Sequence, residues 1–156
     1  MIIVDIPGYR RLELSHLVID YNGTLAADGV LLAGVADTLG ALATELAIHV
    51  ITADTFGLAV ASLAGLPVSV ALMPPHGQEI AKLDYVTALG LEHVVAIGNG
   101  RNDRTMLEAA ALGIAVVQRE GAAAEAMRGS DLVCTSILDA LGLLREPRRL
   151  VATLRS

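Results

Sequence analysis

Short apolar runs rich in valine and isoleucine alternate along the chain with longer segments rich in alanine and leucine. The short runs are continuously apolar, which is typical of strands buried on both faces of a parallel sheet. The longer segments have the length and composition of helices. From Leu17 onward strands and helices alternate, and this order predicts a parallel sheet with helices on both faces.

Strands are predicted at 2–6, 12–14, 17–19, 47–51, 68–72, 94–97, 114–117 and 132–134. Helices are predicted at 33–45, 57–63, 77–89, 103–111, 122–127 and 137–144. Turn signals at Pro7-Gly8 and Asp28-Gly29 predict two β-hairpins. We find no repeat, low-complexity linker or insertion large enough for a lid. The expected fold is α/β: one three-layer α/β/α Rossmann-like domain over residues 1–156, with a mainly parallel sheet, an N-terminal hairpin and no large cap domain.

Composition narrows the class of protein. Hydrophobic residues make up 54% of the chain and aromatics only 3%, so the core must consist mainly of Ala, Leu, Val and Ile. The high apolar content also leaves room for a homo-oligomeric interface. A net charge of -6 argues against a nucleic-acid partner. No apolar run reaches the roughly 18 residues of a membrane span. The single cysteine and the absence of a basic leader favour a cytoplasmic protein.

Polar residues that directly follow strands are the candidates for chemistry, because ligands of parallel sheets bind beyond the carboxyl ends of the strands. Asp20 closes an apolar run, and a carboxylate there can attack phosphorus; a turn or helix cap is the alternative. Thr52 can hold a phosphate oxygen or cap a helix. Asp103 follows a glycine-containing loop and can help to hold Mg²⁺, or can itself cap a helix.

Two compositional features strengthen the functional interpretation. Lys82 is the only lysine, whereas the other ten basic residues are arginines. A compact ammonium is not interchangeable with a guanidinium where it must neutralise a carboxylate and a phosphate. The alternative is that Lys82 is a solvated helix residue, which is the ordinary position of lysine. All three asparagines fall in the two glycine-containing loops at 20–25 and 98–103: Asn22, Asn99 and Asn102.

Together these segments resemble the haloacid dehalogenase superfamily, in which strands end in DxDGT and in Ser or Thr, a helix carries Lys, and a further strand leads into an acidic loop. The corresponding segments are Asp20-Tyr-Asn-Gly-Thr-Leu25, Thr52-Ala-Asp54, Lys82 and Gly98-Asn-Gly-Arg-Asn-Asp103. They are most similar to DKTGTL, TGD and GDGxND of the P-type ATPase phosphorylation domain. Without membrane helices or a nucleotide-binding insert, the chain resembles the small proteins called soluble P-type ATPases.

The resemblance implies Mg²⁺-dependent hydrolysis of a phosphate ester or anhydride through an aspartyl phosphate on Asp20. Beside this nucleophile it implies catalytic roles for Asn22, Thr52 and Lys82. The phosphoryl group is expected at Asp20, Gly23, Thr52, Ala53 and Lys82. The expected metal site consists of Asp20, Asn22, Asn99 and Asp103, with Asp103 completing or orienting it. Supporting roles are expected for Thr24, Asp54 and Asn102.

The chain departs from the family pattern at two positions. Phosphatases of the family have a second Asp where this chain has Asn22, and an amide cannot shuttle a proton at neutral pH. Slow turnover, with acyl or aryl phosphates preferred, is therefore expected. Asn99 replaces a metal-binding Asp of the ATPase pattern, so weaker Mg²⁺ binding is expected. The substrate is expected to be a small phosphorylated molecule or a phosphoprotein; the alternative is a low-turnover regulatory or phosphate-binding protein.

Overall fold

The computed structural model describes residues 1–156. The strands are β1 Ile2–Asp5, β2 Arg11–Leu14, β3 His16–Asp20, β4 Ala26–Ala27, β5 Val30–Leu31, β6 Ala47–Thr52, β7 Ser69–Leu72, β8 Val94–Gly98, β9 Leu112–Val116 and β10 Leu132–Cys134. The helices are α1 Val35–Leu42, α2 Leu58–Leu63, α3 Gln78–Leu89, α4 Arg104–Ala109, α5 Ala124–Arg128, α6 Ile137–Arg145 and α7 Pro147–Leu154. Short 3₁₀ turns lie at Leu91–His93 and Arg101–Asp103.

Six strands form the central sheet in the order β10-β9-β8-β3-β6-β7. Every neighbouring pair is parallel, which confirms the predicted sheet. After β3 the chain first adds β6 and β7 on one side and later β8, β9 and β10 on the other. The strand order therefore reverses beside β3, and in open α/β sheets ligands bind at the carboxyl ends of the strands at such a point.

Both faces of the sheet are buried, as the continuous apolar runs predict. Successive side chains of a strand point to opposite faces. Leu17 and Ile19 of β3 accordingly pack in one core with α1 and α6, while Val18 packs in a second core with α3 and α4. Helices thus cover each face, and the predicted three-layer α/β/α architecture is confirmed. None of the helices combines the length and the apolar character that a membrane span requires.

Both predicted hairpins are present. Strands β1 and β2 pair antiparallel around Gly8 and form a two-stranded sheet of their own. The second hairpin, β4–β5, turns at Asp28 and Gly29, whose φ angles are 51° and 79°. Two successive positive φ angles are characteristic of the tight turns that fit the twist of a hairpin. These short hairpins are the only strands outside the central sheet, and no large cap domain is present.

Some predicted helix ends were wrong. The helix expected at 33–45 is only Val35–Leu42, because Gly34 has a φ of 82° and a tight turn follows Leu42. The helix expected at 103–111 ends at Ala109, and the next strand already begins at Leu112. Helix α7 was not predicted. It begins with Pro147, and the burial of Leu150 in the core, which depends on distant elements, stabilises it.

Candidate active site

The carboxyl edge of the sheet brings the three predicted loops together. Asp20 is the last residue of β3 and pairs with Ile51 of β6, so Thr52 lies one residue beyond it on the neighbouring strand. On the other side of β3, β8 ends at Gly98 and continues into the loop of residues 98–103. Because the strands are parallel, these ends share one edge of the sheet.

Lys82 reaches this edge from α3, and its side chain is only 1% exposed. Its Nζ donates to Oδ1 of Asp20 at 2.7 Å, to Oδ1 of Asp103 at 2.6 Å and to Oδ1 of Asn102 at 3.1 Å. These contacts use all three donors of the ammonium group. The only lysine of the chain therefore bridges two carboxylates inside the protein, and the alternative of a solvated helix residue is excluded.

Asp103 is fully buried and orders the loop that carries it. Its Oδ2 accepts hydrogen bonds from the main-chain amides of Asn99 at 3.0 Å and Gly100 at 2.8 Å, while Oδ1 binds Lys82. A Cβ at Gly98 would lie 2.5 Å from Cγ of Asp103, so only glycine allows the carboxylate to pack there. Both oxygens of Asp103 thus have partners within the protein, and its direct contact with a metal stays a prediction.

Two buried carboxylates share one cation in this cluster. Burial raises the pKa of Asp20 from 3.8 to about 7; the charge of Asp103 adds to the rise and Lys82 opposes it. Burial alone would lower the pKa of Lys82, but Asp20 and Asp103 outweigh it and hold that pKa above its usual value. The lysine therefore stays protonated, and the cluster lacks one positive charge when both carboxylates are ionised.

The oxygen atoms on and near Asp20 are of the kind that magnesium binds. Oδ2 of Asp20 accepts no hydrogen bond from a side chain, and the main-chain carbonyl of Asn22 accepts none from the protein. Mg²⁺ typically takes one or two carboxylates together with other oxygen ligands and water. No group of three or more His, Cys, Asp or Glu side chains is arranged to hold a metal. A divalent cation at this edge would supply the positive charge that the carboxylates lack.

Asp54 orders the chain that follows β6. Its carboxylate accepts hydrogen bonds from the main-chain amides of Ala59 and Val60 and so caps α2. The buried hydroxyl of Thr52 accepts a hydrogen bond from the main-chain amide of Asp54 at 3.2 Å, and its contact with a phosphate oxygen stays a prediction. Ala53 and Asp54 line a cavity of about 270 Å³ together with Asn22. The side chain of Asn22 is exposed and makes no hydrogen bond.

The loop after Asp20 is fixed against the loop after β8. Gly23 has a φ of 78°, and a Cβ there would lie 2.4 Å from Nδ2 of Asn99. Thr24 is fully buried and donates to Oδ1 of Asn99 at 3.2 Å, while Nδ2 of Asn99 donates to the carbonyl of Gly121 at 3.1 Å. Asn99 therefore joins three segments, and its predicted share in a metal site stays a prediction.

Two glutamines that hold the loops of the site were not predicted from the sequence. Gln118 donates to the carbonyls of Thr24 at 2.8 Å and Gly23 at 3.3 Å, and its Oε1 accepts the amide of Ile137. Gln78 accepts a hydrogen bond from Nδ2 of Asn102 at 3.1 Å, which orients the oxygen of Asn102 toward Lys82. Glutamine is an ordinary surface residue, so neither position carried a signal before its distant partners were known.

Comparison with known proteins identifies the relatives of this chain. Residues 71–135, which include Lys82 and Asp103, match a family described as haloacid dehalogenase-like hydrolase. An uncharacterized protein of Methanocaldococcus jannaschii is 44% identical over 82 residues, which is 50% of this chain and 88% of that protein.

Solved structures share the fold. The 3-deoxy-D-manno-octulosonate 8-phosphate phosphatase of Moraxella catarrhalis, in complex with magnesium, phosphate and a KDO molecule, superimposes with a TM-score of 0.67 at 17% identity over 91% of this chain and 94% of that chain. A zinc-transporting PIB-type ATPase has a TM-score of 0.62 at 24% identity, over 79% of this chain and 20% of that chain. At these identities the likeness is one of fold.

Proposed function

Because the chain belongs to the haloacid dehalogenase-like hydrolases, we propose that it is a magnesium-dependent phosphohydrolase that works through an aspartyl phosphate on Asp20. The observation that carries the proposal is the buried ammonium of Lys82 shared between Asp20 and Asp103 at the carboxyl edge of the sheet. A buried cation beside a partly accessible carboxylate is suited to hold a phosphate dianion next to its nucleophile.

The reaction has two displacements at phosphorus. In the first, a carboxylate oxygen of Asp20 forms a bond to phosphorus, the ester P–O bond breaks, and the leaving oxygen keeps the electron pair and takes a proton from water. In the second, water forms a bond to phosphorus and gives a proton to the solvent, the bond to Asp20 breaks with its electron pair on the carboxylate, and inorganic phosphate leaves. The hydroxyl of Thr52 and the main-chain amide of Ala53 hold phosphoryl oxygens, and Lys82 exchanges its contact with Asn102 for a contact with another phosphoryl oxygen. The amide of Gly23 donates to the carbonyl of Ala26 at 2.9 Å, so its expected contact with the phosphoryl group requires that bond to open.

Metal and lysine have separate tasks in this proposal. Asp20, the carbonyl of Asn22 and Asn99 would hold Mg²⁺, which when bound supplies charge that stabilises the phosphoryl oxygens. Asp103 accepts hydrogen bonds from Lys82 and from two main-chain amides of its own loop. It therefore positions the ammonium group of Lys82. Thr24, Asp54 and Asn102 support the loops, because each fixes a neighbouring group by a hydrogen bond.

The proposal is tested with p-nitrophenyl phosphate in Mg²⁺ and in EDTA, together with intact-mass analysis after brief exposure to acetyl phosphate. We expect turnover only with Mg²⁺, and a mass increase of one phosphoryl group that is absent from Asp20→Asn. Equal turnover in EDTA, or the same phosphoryl adduct on Asp20→Asn, would contradict the proposed route.

A second prediction concerns the group beside the leaving oxygen. Asn22 is exposed, makes no hydrogen bond and cannot carry a proton at neutral pH. Asn22→Asp is nearly isosteric and adds the missing proton carrier, so hydrolysis of alkyl phosphates should accelerate at least about tenfold. The gain for p-nitrophenyl phosphate should be smaller, because that leaving group needs little protonation. Steady-state kcat values on both esters measure the effect.

The matched control is Asn22→Ala, which removes the amide without adding an acid and should not accelerate any ester. Fresh protein is required, because Asn22-Gly23 is a sequence at which deamidation creates aspartate. If Asn22→Asp is no faster than the wild type on alkyl phosphates, the slow-turnover hypothesis is wrong.

A low-turnover regulatory or phosphate-binding protein is the second candidate function. The observation that favours it is that Asn99, where the ATPase pattern has a metal-binding Asp, has its oxygen and its amide group engaged with Thr24 and Gly121. Tight binding of inorganic phosphate without release of product from any ester would support this candidate against the enzyme.

A further inference from the structure

We propose that the leaving group of the substrate is an uncharged aromatic ring bound in the cavity that Asn22 and Ala53 line beyond the ends of β3 and β6; this inference rests on the proposed phosphatase function. The cavity measures about 270 Å³ and lies between the end of β3, the end of β6, the turn of the β4–β5 hairpin and the start of α2. The lining residues that matter are Tyr21, Asn22, Gly29, Asp54, Phe56 and Leu58.

The position of Asn22 assigns this cavity to the leaving group. Position 22 is where related phosphatases carry the acid that protonates the leaving oxygen. A group with that task must lie within hydrogen-bond reach of the leaving oxygen. Asn22, two residues after Asp20, belongs to the wall of this cavity, and so does Ala53, which directly follows Thr52. When Asp20 attacks phosphorus, the departing group is therefore directed into this space.

No cation lines the cavity. Its one charged residue is Asp54, whose two oxygens are already engaged by amides of α2. Lys82 is committed to the carboxylate cluster, and Arg101 and Arg119 line two other cavities. A carboxylate or a second phosphate on the leaving group would lie beside a negative charge with no compensating partner, which disfavours binding.

Apolar side chains are exposed at the same place. Phe56 is 86% exposed and Leu58 is 56% exposed, and both line the cavity. The opposite wall is held in place because Tyr21 donates its hydroxyl to the carbonyl of Gly29 at 3.0 Å. A Cβ at Gly29 would lie 3.6 Å from Leu58, so the hairpin turn closely approaches the start of α2. A ring bound between these walls would remove their apolar surface from water.

The same class of leaving group suits the chemistry of Asn22. When an aryl phosphate reacts, the P–O bond breaks and its electron pair stays on the phenolic oxygen, which takes a proton from water. A phenolate is stable enough to leave without a protein acid, whereas an alkoxide is not. The neutral amide of Asn22 and a cavity without a cation therefore select the same class, monophosphates of uncharged phenols.

The test compares phenyl phosphate with 4-carboxyphenyl phosphate in the presence of Mg²⁺. We expect kcat/KM of the wild type to favour phenyl phosphate by about tenfold or more. Phe56→Arg adds a cation to the cavity wall and should abolish or reverse this ratio. The matched control is Val133→Arg, the same change at a 51% exposed side chain of β10, and it should keep the wild-type ratio.

Binding of phenylphosphonate and 4-carboxyphenylphosphonate, measured by calorimetry with Mg²⁺, separates this inference from the proposed function. Selective binding of phenylphosphonate without turnover of any ester would reject the phosphatase and support the aromatic subsite. Turnover of both esters with equal kcat/KM would reject the subsite and leave the phosphatase standing. Equal binding of both phosphonates, or the same change of ratio in Phe56→Arg and Val133→Arg, would also overturn the inference.

Discussion

Asp20→Asn is expected to remove turnover while making the metal-free protein more stable. Turnover should fall on the order of 10³-fold or more, because an amide cannot attack phosphorus. Stability should rise because the cluster has two carboxylates for one cation, and folding raises the pKa of Asp20 from 3.8 to about 7. An acid whose pKa is raised by folding destabilises the fold when it is ionised.

The gain in stability of Asp20→Asn is expected to depend on pH. Well below pH 3.8 Asp20 is protonated in both states and contributes nothing to the difference in stability. The destabilisation grows as the pH rises from 3.8 toward 7 and is complete above the folded pKa. In EDTA at pH 8, urea unfolding should therefore show Asp20→Asn to be more stable by roughly 2–4 kcal/mol, with little gain at pH 4.

Asp103→Asn is the matched control, since it makes the same chemical change in the same cluster. Asp103 accepts hydrogen bonds from Lys82 and from the amides of Asn99 and Gly100. An amide has only one accepting oxygen, so at least one buried donor loses its partner at a cost of about 1–3 kcal/mol. Asp103→Asn should therefore be less stable than the wild type. Destabilisation by both substitutions would show that the ionised carboxylate of Asp20 does not destabilise the fold.

Lys82→Met is expected to have the largest destabilising effect of any single substitution in the site. Its side chain is 1% exposed, and its removal leaves Asp20 and Asp103 buried without a cation. Breaking a buried ion pair in this way typically costs about 3–5 kcal/mol. The loss should be greatest at pH 8 and smaller at pH 5, where Asp20 takes up a proton. Turnover should fall by about 10²–10³-fold, because a charge that stabilises the transition state is lost.

Two controls separate the site from a general effect of losing a cation. Arg104→Met removes the partner of Glu79 from a partly exposed pair and should cost less than about 1 kcal/mol. Lys82→Arg keeps the charge but places a larger planar group where three short contacts surround a compact ammonium. It should lose most turnover, and near-normal kcat in Lys82→Arg would refute the proposed role of the lysine.

The sequence by itself determined the architecture and predicted which residues meet at the carboxyl edge of the sheet. Continuous apolar runs separated by helical segments require a buried parallel sheet, and parallel strands end at one edge, so Asp20, Thr52 and the loop after Gly98 had to converge. The tight turn at Asp28-Gly29 was also readable, because its signal is local. The use of a single lysine identified Lys82 before any contact was known.

Only the tertiary structure decided which groups these residues contact. Lys82 lies 62 residues from Asp20 and 21 from Asp103 along the chain, and no local pattern states that it bridges both carboxylates. No local pattern states that Asn99 joins Thr24 to Gly121 or that Gln118 binds the loop after Asp20. The apolar side chains that line the cavity beside Asn22 also come together only in the folded chain. Helix α7 was missed for the same reason: its stability comes from packing against distant elements, and such contacts are set by the whole fold and not by neighbouring residues.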